Sequence, residues 1–130
     1  MNKIAFFGDS YLISFKRLSD ERGFFQKIYS DKTMNFKEQY YSVSKKNVIR
    51  GIHFQSPPHD HEKLVYCVKG KVLDLIIDLR LKSPNFMKFK TVILDDSSTQ
   101  AIYIPKGFGH GFLSMTSESI LNYNYLLNEK

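Results

Sequence analysis

The sequence predicts an all-β fold, a sandwich or barrel in which two sheets pack together. Many short segments rich in β-branched and aromatic residues alternate with turn signals, and helical periodicity is scarce. Eleven Phe and eight Tyr, with no Trp, favour strands and a lined pocket over a helical bundle. At 130 residues the chain is long enough for one domain, which we expect to span residues 1–130.

Turn signals separate the predicted strands along the chain. They occur at residues 20–23, 56–58, 69–70, 83–85 and 95–98. The predicted strands cover residues 11–15, 24–29, 40–44, 48–54, 63–68, 72–79, 89–94, 101–104 and 120–126. A single turn of helix is predicted around residues 31–39.

The two strands on either side of Gly70 are predicted to form a hairpin with a two-residue loop. This register places Lys63 and Asp74 as diagonal neighbours on one face, within reach of each other. Both faces of the hairpin are mostly apolar, so the pair would be buried between two packed sheets. A buried Lys–Asp pair is either structural or part of a functional site, and the residues alone favour neither.

Composition and charge argue against two classes of partner. No apolar run approaches the roughly 20 residues that a membrane-spanning helix needs. The net charge of +6 could attract nucleic acid, but the basic residues are scattered and no basic–aromatic stripe joins them. We therefore expect neither nucleic acid nor a membrane as partner, while a phosphate-bearing small molecule is compatible with the charge.

Cysteine usage and the N-terminal residues indicate a cytoplasmic protein. The single cysteine, Cys67, cannot form an internal disulfide, and it is interpreted as a buried structural residue. The hydrophobic stretch near Met1 is too short for a secretory signal.

Two polar clusters stand out against the predicted strands, one at residues 47–55 and the other well downstream at residues 104–112. The first, residues 47–55, contains Arg50 and His53 within an expected buried strand, and Lys63 follows ten residues after His53. Burying these groups is costly unless partners or a ligand satisfy them. Strict alternation would put Arg50 and His53 on opposite faces. Either a bulge at Gly51 re-aims one of them, or Arg50 reaches the ligand from the rim.

Taken in order, several sequence blocks resemble the dTDP-4-dehydrorhamnose 3,5-epimerase family. The blocks are DERGFF (20–25), SKKNVIRGIHFQ (44–55), KLV (63–65), VKGKVLDLIIDLR (68–80), SP (83–84) and IPKGFGHGF (104–112). Family members are cupins that act on nucleotide-linked 4-keto-6-deoxy sugars. The resemblance implies a cupin jelly-roll barrel of two packed antiparallel sheets, and a homodimer.

The resemblance also implies roles for individual residues. The family chemistry removes a proton next to a ketone and returns one to the opposite face, which requires a base, an enolate stabiliser and an acid. His53 matches the base, Lys63 the enolate stabiliser, Tyr123 the acid and Asp74 an acidic partner in the pocket. Arg22 and Arg50 match arginines that hold the diphosphate, and Gln55 and His110 also match substrate-binding positions.

The sequence departs from the family pattern at three places. The family orients its base with an aspartate well beyond the position of Tyr123, whereas this sequence ends at Lys130, which implies a short form. Another carboxylate would then orient His53, or His53 would be less basic. Lys27 replaces a glutamate, and Glu38 and Tyr40 replace Gln and Asn, at nucleotide-binding positions. The identity of the nucleotide is therefore left open.

The expected function is epimerisation of a nucleotide-linked 4-keto-6-deoxy sugar at C3, C5 or both, without a cofactor. The pathway implied is cell-surface polysaccharide synthesis, such as that of the lipopolysaccharide O-antigen. Two alternatives are a nucleotide-sugar 3,4-ketoisomerase, which needs the same base, and a cupin that binds a sugar nucleotide without turnover.

Three histidines leave a further alternative, a metal-binding cupin. His59 and His61 form a His-x-His pair, and His110 lies in a Pro-x-Gly-x-x-His block. The glutamate that such sites use would fall near Val65 or Tyr66, so the ligand set is incomplete and no metal is expected.

Overall fold

The computed structural model describes residues 2–28 and 35–126, and these residues form strands and loops without a helix. The strands are β1 (Asn2–Ala5), β2 (Tyr11–Ser14), β3 (Arg17–Asp20), β4 (Gly23–Gln26), β5 (Phe36–Lys45), β6 (Ile49–His53), β7 (Lys63–Lys69), β8 (Lys71–Asp78), β9 (Phe89–Asp95), β10 (Gln100–Ile104), β11 (Phe108–Ser114) and β12 (Glu118–Leu126). Within the described ranges no helix could span a membrane.

Two antiparallel sheets pack face to face. The larger has the order β1-β2-β10-β7-β12-β5, the smaller has the order β6-β11-β8-β9, and β3 pairs with β4 in a separate hairpin. The predicted all-β fold of two packed sheets is confirmed. Val65, Ile102 and Leu121 of the larger sheet and Ile76 and Phe112 of the smaller are at most 4% exposed. Burial of such side chains contributes roughly 1.5–3 kcal/mol each, so this interior holds the sheets together.

The predicted hairpin at Gly70 is wrong. β7 and β8 follow each other directly, yet they lie in different sheets, so the chain crosses from one layer to the other at this glycine. Gly70 has a φ of 82°, and a Cβ there would meet the carbonyl oxygen of Glu118. Lys63 and Asp74 are nevertheless both buried between the sheets, because each lies on the inner face of its strand.

Each predicted strand corresponds to a strand of the structure, with differences at the ends. The structure adds β1, β3 and β11. Strand β11 escaped prediction because its glycines interrupt the pattern of side chains, but a Cβ at Gly109 would lie 2.7 Å from the side chain of Ile52. The predicted helical turn is wrong where β5 begins at Phe36, and residues 31–34 and Tyr29 lie outside the described residues.

Candidate active site

Strand β6, which carries Arg50 and His53, is exposed along its whole length. The expectation of a buried strand is therefore wrong. β6 is one of the two edge strands of the smaller sheet, and among the described residues it pairs with β11 alone. Its polar side chains can be hydrated there, so their presence does not require buried partners.

The predicted bulge at Gly51 is confirmed. His53 pairs with His110 and Arg50 pairs with Phe112, so β6 has one residue more than β11 between these two pairs. Gly51 has a φ of 109°, and a Cβ there would lie 2.7 Å from both the Gly111 Cα and the His110 carbonyl oxygen. This bulge allows Arg50 and His53 to face the same cavity.

A cavity of about 180 Å³, called here the inner cavity, brings together most of the predicted site residues. Its lining is Tyr40, Ser42, Arg50, His53, Lys63, His110, Gly111, Phe112, Tyr123 and Tyr125. Strands β5, β7 and β12 of the larger sheet supply one wall, and β6 and β11 of the smaller sheet supply the other. The site therefore lies between the two sheets.

His110 and Asp74 form a buried pair behind this cavity. The His110 Nε2 lies 2.8 Å from the Asp74 Oδ1, and their side chains are 4% and 0% exposed. The other carboxylate oxygen, Asp74 Oδ2, is buried without a hydrogen-bond partner among residues 2–28 and 35–126. The hydrogen bond to one oxygen of Asp74 fixes the orientation of the His110 imidazole. The same carboxylate also lies close enough to Lys63 to affect its pKa.

Lys63 is a nearly buried cation. It is 8% exposed, and its ammonium makes no hydrogen bond or ion pair with another residue of the described ranges. Burial lowers its pKa, and the charge of Asp74 partly opposes that shift. Its Nζ lies 5.4 Å from the centre of the Tyr125 ring. A desolvated ammonium without a bonded partner is suited to stabilising negative charge on a ligand.

Tyr123 is a buried phenol that keeps its proton. Its hydroxyl oxygen lies 3.0 Å from the Ser42 Oγ, and burial raises its pKa to about 12. The phenol is therefore protonated throughout the physiological range and can act as a proton donor.

Arg50 is oriented by hydrogen bonds at the rim of the inner cavity. Its Nε donates to the Ser44 Oγ at 2.8 Å, and its Nη2 donates to the Val43 carbonyl at 3.1 Å. The guanidinium group therefore has a defined direction, and its remaining donors bond to no other residue in the described part of the chain.

Gln55 lines two cavities that lie next to the inner cavity. A connecting cavity of about 170 Å³ shares Tyr40, His53, Lys63 and Tyr125 with the inner cavity and adds Gln55 and His61. An outer cavity of about 350 Å³ continues past Gln55, His59 and Tyr125. We call these three adjoining cavities together the trough. Gln55, which was predicted to bind substrate, therefore lines the same trough as the residues of the inner cavity.

Arg22 does not reach the inner cavity of its own chain. It lies at the tip of the β3–β4 hairpin, where its side chain is 86% exposed and contacts Asp20 at 2.6 Å. That contact lowers the pKa of Asp20. The depression that Arg22 lines with Phe24 and Phe25 shares no residue with the inner cavity.

The three histidines of the metal alternative are not brought together. His61 packs against Tyr125 with ring centres 4.1 Å apart, His59 lines the outer cavity, and His110 contacts Asp74. The described residues contain no group of three or more His, Cys, Asp or Glu side chains placed to hold a metal ion.

Two tyrosines of the inner cavity lie outside the predicted set of site residues: Tyr125 was not considered, and Tyr40 was noted only as a departure from the family at a nucleotide-binding position. Tyr40 pairs directly with Tyr123 across β5 and β12, and Tyr125 follows Tyr123 by two positions on the same face. The two-residue spacing that puts Tyr123 and Tyr125 on one face of β12 was visible in the sequence. The β5 partner depends on a pairing between distant strands, which the sequence did not show.

Comparison with known proteins identifies the family of this chain. Residues 6–128 match the family described as dTDP-4-dehydrorhamnose 3,5-epimerase. The chain is 37% identical over 116 residues to a protein of that name from Salmonella typhimurium, covering 83% of this chain and 63% of the relative. A dTDP-4-dehydrorhamnose 3-epimerase from Streptomyces niveus is 44% identical over 82 residues, covering 63% of this chain and 40% of the relative. The chain thus spans less than two thirds of the length of these curated relatives.

Solved structures show the same fold. NovW, a 4-keto-6-deoxy sugar epimerase from Streptomyces spheroides, has a TM-score of 0.92 and 32% identity, covering 100% of this chain and 70% of that chain. RmlC from Legionella pneumophila, solved in complex with dTDP-4-keto-L-rhamnose, has a TM-score of 0.90 and 34% identity, covering 99% of this chain and 73% of that chain. The predicted cupin jelly roll is confirmed by these similarities.

Proposed function

This chain belongs to the dTDP-4-dehydrorhamnose 3,5-epimerase family, and on that premise we propose that it epimerises a nucleotide-linked 4-keto-6-deoxy sugar at C3, C5 or both. The observation that carries the proposal is the meeting of His53, Lys63 and Tyr123 in one cavity between the sheets. These groups correspond to the base, the cation and the acid that the reaction needs.

The proposed reaction begins when His53 removes the proton from a carbon next to the C4 ketone. The electrons of that C–H bond form an enolate, and the negative charge develops on the ketone oxygen. The ammonium of Lys63 stabilises this oxygen more strongly than it would in water, because the group is desolvated. Tyr123 then donates its proton to the same carbon from the opposite face while the enolate reverts to the ketone, which inverts the centre. His53 afterwards releases its proton to solvent and the Tyr123 phenolate takes one up, which restores both groups.

The buried pair has a supporting role in this proposal. Asp74 orients the imidazole of His110 at the wall of the inner cavity. Its charge also favours the protonated form of Lys63, which is the form that stabilises the enolate. Arg50 and Gln55 would contact the rest of the substrate along the trough.

We also propose a homodimer, in which a second copy supplies Arg22 to the diphosphate. Ile49, Leu113, Leu73 and Ile93 form a continuous aliphatic row across all four strands of the smaller sheet, on the face opposite the core. Ile49 is 73% exposed and Ile93 is 48% exposed in one chain. Such a row favours burial against another protein surface.

A mixing experiment tests the shared site. Arg22→Gln and His53→Asn chains should each be inactive, and their mixture should recover roughly a quarter of the wild-type rate, because heterodimers contain one intact site. No recovery, with dimers shown by light scattering, would argue that each chain uses its own Arg22.

The cellular setting is part of the same proposal. A cytoplasmic enzyme of this chemistry would provide activated sugars for a cell-surface polysaccharide such as an O-antigen. Loss of one sugar epimer from that polysaccharide on disruption of the enzyme is the expected outcome.

Proton NMR in deuterium oxide tests the chemistry directly. The protein is incubated with dTDP-, GDP- and CDP-linked 4-keto-6-deoxy sugars, and loss of the C3 or C5 proton signal is expected for at least one. The order in which the signals fade identifies the centre. Binding without any exchange would overturn the proposal and leave a sugar-nucleotide-binding protein, while transfer of the carbonyl to C3 would identify a ketoisomerase.

A further inference from the structure

Two hydroxyl pairs line the inner face where β5 and β12 run side by side. Tyr40 and Ser42 alternate along β5, and Tyr123 and Tyr125 alternate along β12, so all four face the inner cavity. Ser42 pairs with Tyr123, and the hydroxyl of Tyr40 is hydrogen-bonded to that of Tyr125. The first pair contains the proposed acid. The second pair has no role in the proposed reaction.

The Tyr40–Tyr125 pair lies at the boundary between the inner cavity and the connecting cavity. Both rings line the inner cavity and the connecting cavity. A ligand in the inner cavity would meet this pair on the side that leads towards the connecting and outer cavities. The pair therefore lies where a bound sugar ring would be delimited.

Both rings are held from several sides. Tyr40 lies against Tyr123 with ring centres 5.0 Å apart, and its edge meets Tyr125 at 5.2 Å. Tyr125 also packs against His61 with ring centres 4.1 Å apart and the ring planes tilted by 37°, and the Lys63 ammonium lies over the Tyr125 ring. Aromatic and cation–π contacts of this kind restrict ring rotation. The hydroxyl groups are consequently fixed in position before a ligand binds.

The pair has hydrogen-bonding capacity to spare. Burial raises the pKa of Tyr40 above its ordinary value, and the bond to Tyr125 adds to this shift, so the phenol stays neutral. Each phenol carries one proton, and one of the two protons is used between them. Neither hydroxyl bonds to another residue of the described ranges. One donor hydrogen and several lone pairs are therefore available to a ligand.

We propose that the Tyr40–Tyr125 hydroxyl pair determines sugar specificity by hydrogen bonding to a sugar oxygen of the substrate other than the reacting ketone. This inference rests on the proposed function, since it requires the sugar ring to lie beside His53, Lys63 and Tyr123. A site that binds a substrate hydroxyl through fixed polar groups rejects analogues that cannot satisfy those groups. The two rings also limit the bulk that a sugar substituent can have where the inner cavity meets the connecting cavity.

The test compares Tyr40→Phe, Tyr125→Phe and the double variant with wild type. Phenylalanine keeps the ring packing, and thermal unfolding verifies that each variant is folded. Calorimetry measures affinity for dTDP and for dTDP-4-keto-6-deoxyglucose, with the GDP and CDP counterparts as second and third probes. Tyr41→Phe is the matched control, because Tyr41 is the neighbour on β5, is 66% exposed and lines none of the three cavities.

Each single variant should bind the sugar nucleotide about tenfold more weakly, with affinity for the nucleoside diphosphate unchanged. The double variant should lose little more than either single one, because the two hydroxyls act as a unit. Tyr41→Phe should match wild type. Substrate-derived proton exchange should decline in parallel with sugar-nucleotide affinity.

Three results would overturn the inference. An equal loss of dTDP affinity would place the pair on the nucleotide. Unchanged sugar-nucleotide affinity in all three variants, with active wild type, would remove this inference and leave the proposed function standing. A wild-type chain that neither binds nor exchanges any member of the panel would remove both.

Discussion

Two histidines face each other across β6 and β11, and their surroundings differ sharply. His53, on the rim formed by residues 50–53, is exposed, and its side chain bonds to no other residue in the described part of the chain. His110 is 3% exposed and is bonded to Asp74. A proton carrier has to exchange with solvent or substrate, whereas a buried imidazole with a carboxylate partner is fixed in position. The exposed rim is therefore suited to proton transfer, and the buried His110–Asp74 pair is suited to holding the structure of the site in place.

The largest expected effect comes from removing the proposed base on the rim, a change that should leave the fold intact. His53→Asn should reduce solvent deuterium incorporation by roughly 10²–10⁴-fold, the usual contribution of a general base. The free energy of unfolding should change by no more than about 0.5 kcal/mol, because the side chain is exposed. NMR exchange rates and urea denaturation measure the two quantities. His110→Asn is the matched variant and should lose stability as well as activity; a stability loss confined to His53→Asn would reverse the comparison.

Lys63→Met tests the cation that lies between the two regions. Exchange should fall by roughly 10²–10³-fold, because the developing enolate loses its charge partner. Stability should rise by about 1 kcal/mol, since an apolar side chain replaces a buried charge without an ion pair. Chemical denaturation alongside the exchange assay checks both directions. A variant that is less stable than wild type would show that Lys63 contributes to the architecture.

Gly51→Ala tests the bulge that aims the rim at the inner cavity. A Cβ at this position meets the backbone of Gly111 and His110, and φ is unsuitable for alanine. A loss of about 1–3 kcal/mol in unfolding free energy is expected, with reduced exchange in the folded fraction. Gly23→Ala is a useful control, because a Cβ there has nothing within 4 Å although its φ is also positive. Equal losses in both variants would attribute the effect to φ alone.

Asp74→Asn sharpens the role of the buried pair. The amide can keep one hydrogen bond to His110 but removes the negative charge, so a stability loss of about 1 kcal/mol is expected. Exchange should fall about tenfold, because the variant removes the nearby negative charge that favours the protonated form of Lys63. Thermal unfolding and NMR exchange provide the measurements. Full activity in a destabilised variant would make the pair purely structural.

The smallest effect concerns the alkaline limb of the pH–rate profile. The ammonium of Lys63 is needed, and burial holds its pKa below 10.5, so activity should fall as pH rises through that lowered value. Tyr123 keeps its proton to about pH 12 and does not supply this limb. In Lys63→Arg the residual activity should persist to higher pH, because guanidinium stays protonated. An unchanged limb would point to another group.

The closeness of Lys63 and Asp74 could be predicted, although the predicted hairpin was wrong. Period-two alternation places both side chains on the inner faces of their strands, and this holds whether the strands pair in one sheet or pack across two. Strand β11 shows the opposite case. Its glycines give no side-chain pattern from which a strand could be predicted. The structure shows that they allow β6 to approach β11 closely.

Local patterns in the sequence predicted nine of the twelve strands in the described residues, the family, and the inward direction of Lys63 and Asp74. They also offered the bulge at Gly51 as one of two ways for Arg50 and His53 to share a site. These features depend on local alternation, glycine positions and ordered motifs, which are written along the chain. The folded structure was needed to show that Asp74 bonds to His110, that Arg22 lies away from the cavity of its own chain, and that Tyr40 and Tyr125 bond to each other. The two tyrosines are separated by 85 residues, and contacts over such distances follow from strand order and register, which no local pattern specifies.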